Sequence, residues 1–113
     1  MRKSSLARVI AATAMSLAFC MPAYAEFTAK KFLQWERSSQ SSYIRTILLT
    51  ANTIASQNDK KQSECMGNWF EKDRVGNEKY ILEIMGKNPA QHPLAIVIAV
   101  AERKCGSFRY TQP

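Results

Sequence analysis

Three cysteines occur in the 113 residues, at positions 20, 65 and 105. The pair expected to survive export constrains the fold more than any other feature. Cys20 falls in a segment with the layout of an export signal. Arg2, Lys3 and Arg8 form a positive leader without acidic residues, and residues 9–19 are an apolar run. Ala23-Tyr24-Ala25 then offers the small-x-small pattern that a signal peptidase cuts. The run contains Ser16, is followed by Pro22, and falls short of the roughly 20 apolar residues that cross a bilayer. Residues 1–25 are therefore expected to be a cleaved signal peptide and the mature chain to work in the periplasm of a Gram-negative cell. Two cysteines remain, and an even count in an exported chain reads as a disulfide. Closing the loop from Cys65 to Cys105 contributes about 4 kcal/mol in the chain-entropy treatment. That is comparable to the whole stability of a small domain.

Leu17-Ala18-Phe19-Cys20 has the outline of a lipoprotein acylation site, but bulky Phe19 stands where a small residue is required. A lipid anchor at Cys20 is not expected. Removing residues 1–25 leaves 13 Lys and Arg against 9 Asp and Glu, a net charge of +4. The basic residues are spread out, with Lys30-Lys31, Lys60-Lys61 and Arg103-Lys104 as the only adjacent pairs. Nucleic-acid readers carry a clustered basic stripe with interleaved aromatics, and none is visible. Loose attraction to anionic membrane or cell-wall polymer is compatible with this charge.

The periodicity of the mature chain is helical throughout, which predicts an all-α fold. Thr28 is placed to cap a short first helix through Phe32, Leu33 and Trp35. Residues 38–42, four serines and a glutamine, interrupt the apolar pattern, so a kink or break is expected there. Tyr43, Ile44, Ile47, Leu48, Ala51, Ile54 and Ala55 recur at spacings of three and four and mark the clearest helix. Asp59, with Gln62 three residues on, resembles a capping box and opens a third helix with Cys65, Met66, Trp69 and Phe70 on one face. Gly76-Asn77 reads as a stop followed by a new cap, and Tyr80, Ile81, Ile84 and Met85 as the buried face of a fourth helix ended by Asn88-Pro89. His92-Pro93 opens the last, because proline suits the first helical position. Residues 94–101 are apolar all round, so this helix is expected at the centre, and Gly106 supplies its stop. The expected architecture is a single domain over residues 26–108. Four or five short helices surround a central apolar C-terminal helix stapled by Cys65–Cys105, and residues 109–113 form a tail.

Catalytic groupings are sparse. His92 is the single histidine, and its place before Pro93 suits a helix cap better than a general base. Glu71 with Asp73, and Glu78 with Glu83, have spacings that diverge around a helix, so surface solvation is expected of them. One histidine and scattered acids give no metal-ligand spacing, and the four glycines form no phosphate loop. Neither enzyme activity nor a cofactor is expected. The aromatics Trp35, Tyr43, Trp69, Phe70 and Tyr80 mostly match core positions. Trp35, on the short first helix, is the one expected at an edge and exposed for a partner.

The segment from Cys65 to Cys105 combines a helical cysteine followed by Trp69 and Phe70 with an amphipathic helix carrying Ile81, Ile84 and Met85. It continues with a loop at Pro89, the pair His92-Pro93, and an apolar helix closing on a second cysteine. This pattern resembles the Tai-type amidase-immunity proteins of type VI secretion systems. The resemblance implies a small periplasmic helical disulfide protein that blocks a cell-wall amidase delivered by a rival bacterium. It departs from that family in its glycine-plus-aromatic segment, of which Met66-Gly67-Asn68-Trp69 is a distant version, and no inhibitory residue carries over. The chain is also similar to HdeA-type acid-stress chaperones in size, export, helicity and single disulfide. The leading expectation is thus a non-enzymatic binding protein, an inhibitor or immunity partner of a cell-wall-degrading enzyme. The alternatives are a periplasmic stress chaperone and an exported helical protein with no inhibitory role. The expected partner is another protein, periplasmic or incoming.

Overall fold

The computed structural model describes residues 27–108. The expected signal peptide, with Cys20, and the expected tail at 109–113 lie outside the described residues. Five helices follow one another: α1 Ala29–Phe32, α2 Arg37–Asn58, α3 Lys60–Lys72, α4 Arg74–Lys87 and α5 Pro93–Cys105. No strand occurs among the described residues. The fold is the all-α bundle expected, and no described helix is long and apolar enough to cross a membrane.

Local chemistry sets most boundaries. The Thr28 hydroxyl accepts from the Lys31 amide at the start of α1. Two further α1 amides reach the loop before α5, Ala29 N donating to Gln91 O at 2.7 Å and Lys30 N to Pro89 O at 3.0 Å. Asp59 caps α3 by accepting from Gln62 N at 3.2 Å. The reciprocal arm of a capping box is absent, because the Asp59 amide donates to Ala55 O at 2.6 Å, and the Gln62 Nε2 donates to Gly106 O at 2.6 Å. His92 caps α5, its Nδ1 accepting from Leu94 N, with Pro93 in the first turn. Gly106, at φ +91°, stops the helix in a conformation that side-chain-bearing residues rarely adopt.

Two expected breaks fall elsewhere. The interruption is at residues 33–36, where Gln34 and Trp35 amides turn back onto the Lys31 and Phe32 carbonyls. The serines at 38–42 lie within the opening turns of continuous α2. Serine costs only tenths of a kcal/mol in a helix, and tertiary bonds outweigh that. Buried Gln40 donates to Phe32 O at 3.2 Å, and Ser41 donates to Glu78 at 2.8 Å. The α3–α4 junction is at Asp73, not at Gly76-Asn77. The Asp73 carboxylate accepts from Gly76 N at 3.0 Å, and a Cβ on residue 76 would collide with that carboxylate. Gly76 thus lies in the first turn of α4 beneath the Asp73 cap, and no helix ends there.

The core joins Phe32 of α1, Ile44 of α2, Met66 of α3, Ile81 and Met85 of α4, and Val97 of α5. α5 packs on α2, α3 and α4, while α1 rests on α4. The Cys65–Cys105 disulfide is formed, with a Cα–Cα distance of 5.7 Å, and fastens the end of α5 to α3. Gln40 clasps α1 to α2. Because Phe32 O also accepts from Trp35 N, Gln40→Leu should cost only about 1 kcal/mol. Chemical denaturation reads this directly, and a loss near 3 kcal/mol would show that the clasp carries more than one replaceable bond.

Candidate functional site

Trp35 lies just past α1, 41% exposed, against Phe27, Phe32 and Tyr43. Its indole stacks on Phe27 at 5.3 Å and meets Phe32 at 5.0 Å and Tyr43 at 5.8 Å between centroids. Those three rings are themselves only 4.9–6.4 Å apart. Rings on opposite faces of an indole would be roughly twice as far apart as either is from it, so all three back one side. Trp35 is therefore backed by aromatic rings on one side and exposed on the other.

Burial holds the Tyr43 phenol above its ordinary value of 10.0, because the phenolate loses hydration there. The neutral form is the one the fold favours. Its contribution to stability is present below about pH 10 and is lost as pH rises through the raised value. Tyr43→Phe should remove the latest part of the phenolate absorbance titration. Persistence of that late phase would assign it to another tyrosine.

A row along α2 continues from this cluster. Ser38, Ser39, Ser42, Tyr43 and Thr46 line a shallow shelf. Thr46 also lines the adjoining groove, about 320 Å³, between α2 and α5. There Ile47, Ala51 and Ile54 of α2 face Leu94 and Ile98 of α5, with Phe108 completing the lining. Ile54 is 45% exposed and Leu94 44%. α5 is central in its packing, yet Leu94, Ala95 and Ala99 are exposed. The all-round apolar sequence thus supplies both a buried face and one wall of an open groove. None of the side chains lining the shelf or the groove is charged.

The other sequence candidates separate. His92 caps α5 and meets Phe27 edge-on at 5.2 Å, and no cluster of three or more metal-ligating side chains occurs among the described residues. Glu78, expected to solvate a surface, is instead 5% exposed. It accepts from Ser41 and faces Arg37 at 3.6 Å, joining α4 to the start of α2. Glu71 pairs with Arg74 at 2.6 Å. The α2–α5 groove was not anticipated. Its trace in the sequence is that α2, 22 residues long, carries only Arg37 and Arg45 as charged residues. No family model, curated protein or solved structure matches this chain.

Proposed function

We propose that this chain is an exported, non-enzymatic binding protein whose partner is another protein, and that it serves as an inhibitor or immunity partner of a cell-wall-degrading enzyme. The observation that carries the binding reading is the uncharged face running from the Trp35 cluster to the α2–α5 groove. Protein interfaces are depleted of charge at their centres and enriched in aromatics, and this face has both properties. Export and the disulfide suit a partner met in an oxidising envelope. The inhibitor role rests on the pattern between Cys65 and Cys105.

The test is affinity capture from periplasmic extract, followed by assay of the captured protein on purified cell-wall sacculi. The expected result is one partner at near-equal stoichiometry whose hydrolytic activity falls as the bound fraction rises. Recovery of abundant periplasmic proteins alone would sink the binding reading. A stoichiometric partner with no cell-wall activity would retain binding and remove the inhibitor role.

A further inference from the structure

We infer that the Cys65–Cys105 bridge is a redox latch. Its reduction by a dithiol releases residues 106–108 from α3 and unseats Phe108 from the α2–α5 groove, while the bundle up to Ala101 stays folded. This goes beyond the binding reading and holds whatever the groove receives.

Burial along α5 is the first argument. Ala101 is the last buried residue of that helix, and residues 102–107 are partly or fully exposed. Past Ala101 the bridge and the bond from Gln62 Nε2 to Gly106 O at 2.6 Å tie the chain to α3. Gln62 and Cys65 are three residues apart, so the two links are neighbours on one face of that helix.

The weakness of the Gln62 link is the second argument. Gln62 is buried, yet its Oε1 has no hydrogen-bond partner among the described residues. Stranding a buried acceptor costs at least as much as one neutral hydrogen bond returns. Gln62 therefore does not hold Gly106 by itself, and the bridge keeps that carbonyl over it. With the bridge open, turning the carboxamide out to water satisfies both of its ends. Freeing residues 106–108 then returns the backbone entropy of three residues. That outweighs the bond from the Phe108 amide to the partly exposed Glu102 carboxylate at 3.1 Å and the burial of a ring that is only half covered.

Access is the third argument. Both cysteines are partly exposed, and exposed Lys104 and Gly106 flank Cys105. A thiolate of the reductant attacks one bridge sulfur, the Cys65–Cys105 bond breaks, and the other sulfur leaves as a thiolate and takes up a proton. The second thiol of the reductant then displaces the cysteine still held in the mixed disulfide. The bridge gains two electrons and two protons, and the dithiol ends as its own disulfide.

The test is nuclear magnetic resonance of the purified protein, oxidised and after reduction with dithiothreitol, near its temperature of maximum stability. On reduction the Phe108 amide should exchange with solvent about tenfold faster or more. The Gln62 carboxamide resonances should move to solvent-exposed values, and the Ile81 and Val97 amides should keep their protection. Gln62→Leu removes the bond to Gly106 but not the bridge, and should leave the Phe108 amide of the oxidised protein protected. Unchanged Phe108 exchange on reduction would overturn the latch. Equal loss of protection at Ile81 and Val97 would overturn it as well, because the whole bundle would then have opened. Release of Phe108 by Gln62→Leu with the bridge intact would overturn it by assigning the hold to the Gln62 bond.

Discussion

Removing the bridge by Cys65→Ser together with Cys105→Ser should lower the unfolding free energy by about 4 kcal/mol. The cysteines are 40 residues apart in sequence, and opening that loop returns its closure entropy to the unfolded ensemble. Domains of this size hold only 5–15 kcal/mol in total, so the double variant should sit near the edge of folding at physiological temperature. The Gln62 bond to the Gly106 carbonyl lies at the same end of α5 and cannot replace the covalent link. Denaturant titration of the reduced and oxidised proteins measures the difference. Coincident midpoints would mean that the unfolded chain stays compact enough to lose nothing on closure.

Phe32→Ala should cost about 4 kcal/mol, within the usual range for truncating a buried aromatic. Phe32 is fully buried and contacts the rings of Phe27, Trp35 and Tyr43, so one deletion undermines the base on which Trp35 rests. A red shift in Trp35 emission should accompany the loss of stability, observed in a Trp69→Phe background. A stability loss without the shift would show that Phe27 and Tyr43 hold the indole unaided. A shift without the loss would show that α1 undocks locally while the rest of the bundle stays intact.

The helical class and the bridge were legible because each had a local signature. The three-and-four spacing of Ile44, Ile47, Leu48 and Ala51 marks α2. Thr28, Asp59 and His92 are cap residues where caps occur, and setting Cys20 aside with the expected export signal leaves Cys65 and Cys105 as the one possible pair. The features misread depend on distant partners. Residues 38–42 look like a break until Gln40 meets the Phe32 carbonyl and Ser41 meets Glu78. Gly76 looks like a stop until the Asp73 carboxylate folds over it. Glu78 looks like a surface carboxylate until α2 brings Ser41 and Arg37 to it. The groove was hidden for the same reason. An all-round apolar helix fits enclosure or a shared open wall equally well, and only the positions of α2 and α4 decide which face of α5 stays open. Trp35 was placed at an edge from helix length alone, and its exposure agrees, but its aromatic backing came from Phe27 and Tyr43 on either side in sequence.

The position of the bridge also sorts the peptide bonds into two kinds. A cut in the loop at residues 88–92, or at the Asp73 junction, leaves two pieces still joined through Cys65 and Cys105, so the nicked protein runs as one species until a reductant separates it. A cut at residues 33–36 has no such tether and frees α1 as soon as packing loosens, and a cut beside Asp59 frees α1 and α2 together. α3, α4 and α5 thus form a covalently closed half. Trp35 and the α2 wall of the groove lie outside that closed loop, joined to it by the single backbone connection at Asp59. A protease attacking the turn before α2 would therefore detach α1 with Phe27 and Phe32 and leave Tyr43 on α2 without them, while the α2–α5 remainder stayed one species on a non-reducing gel.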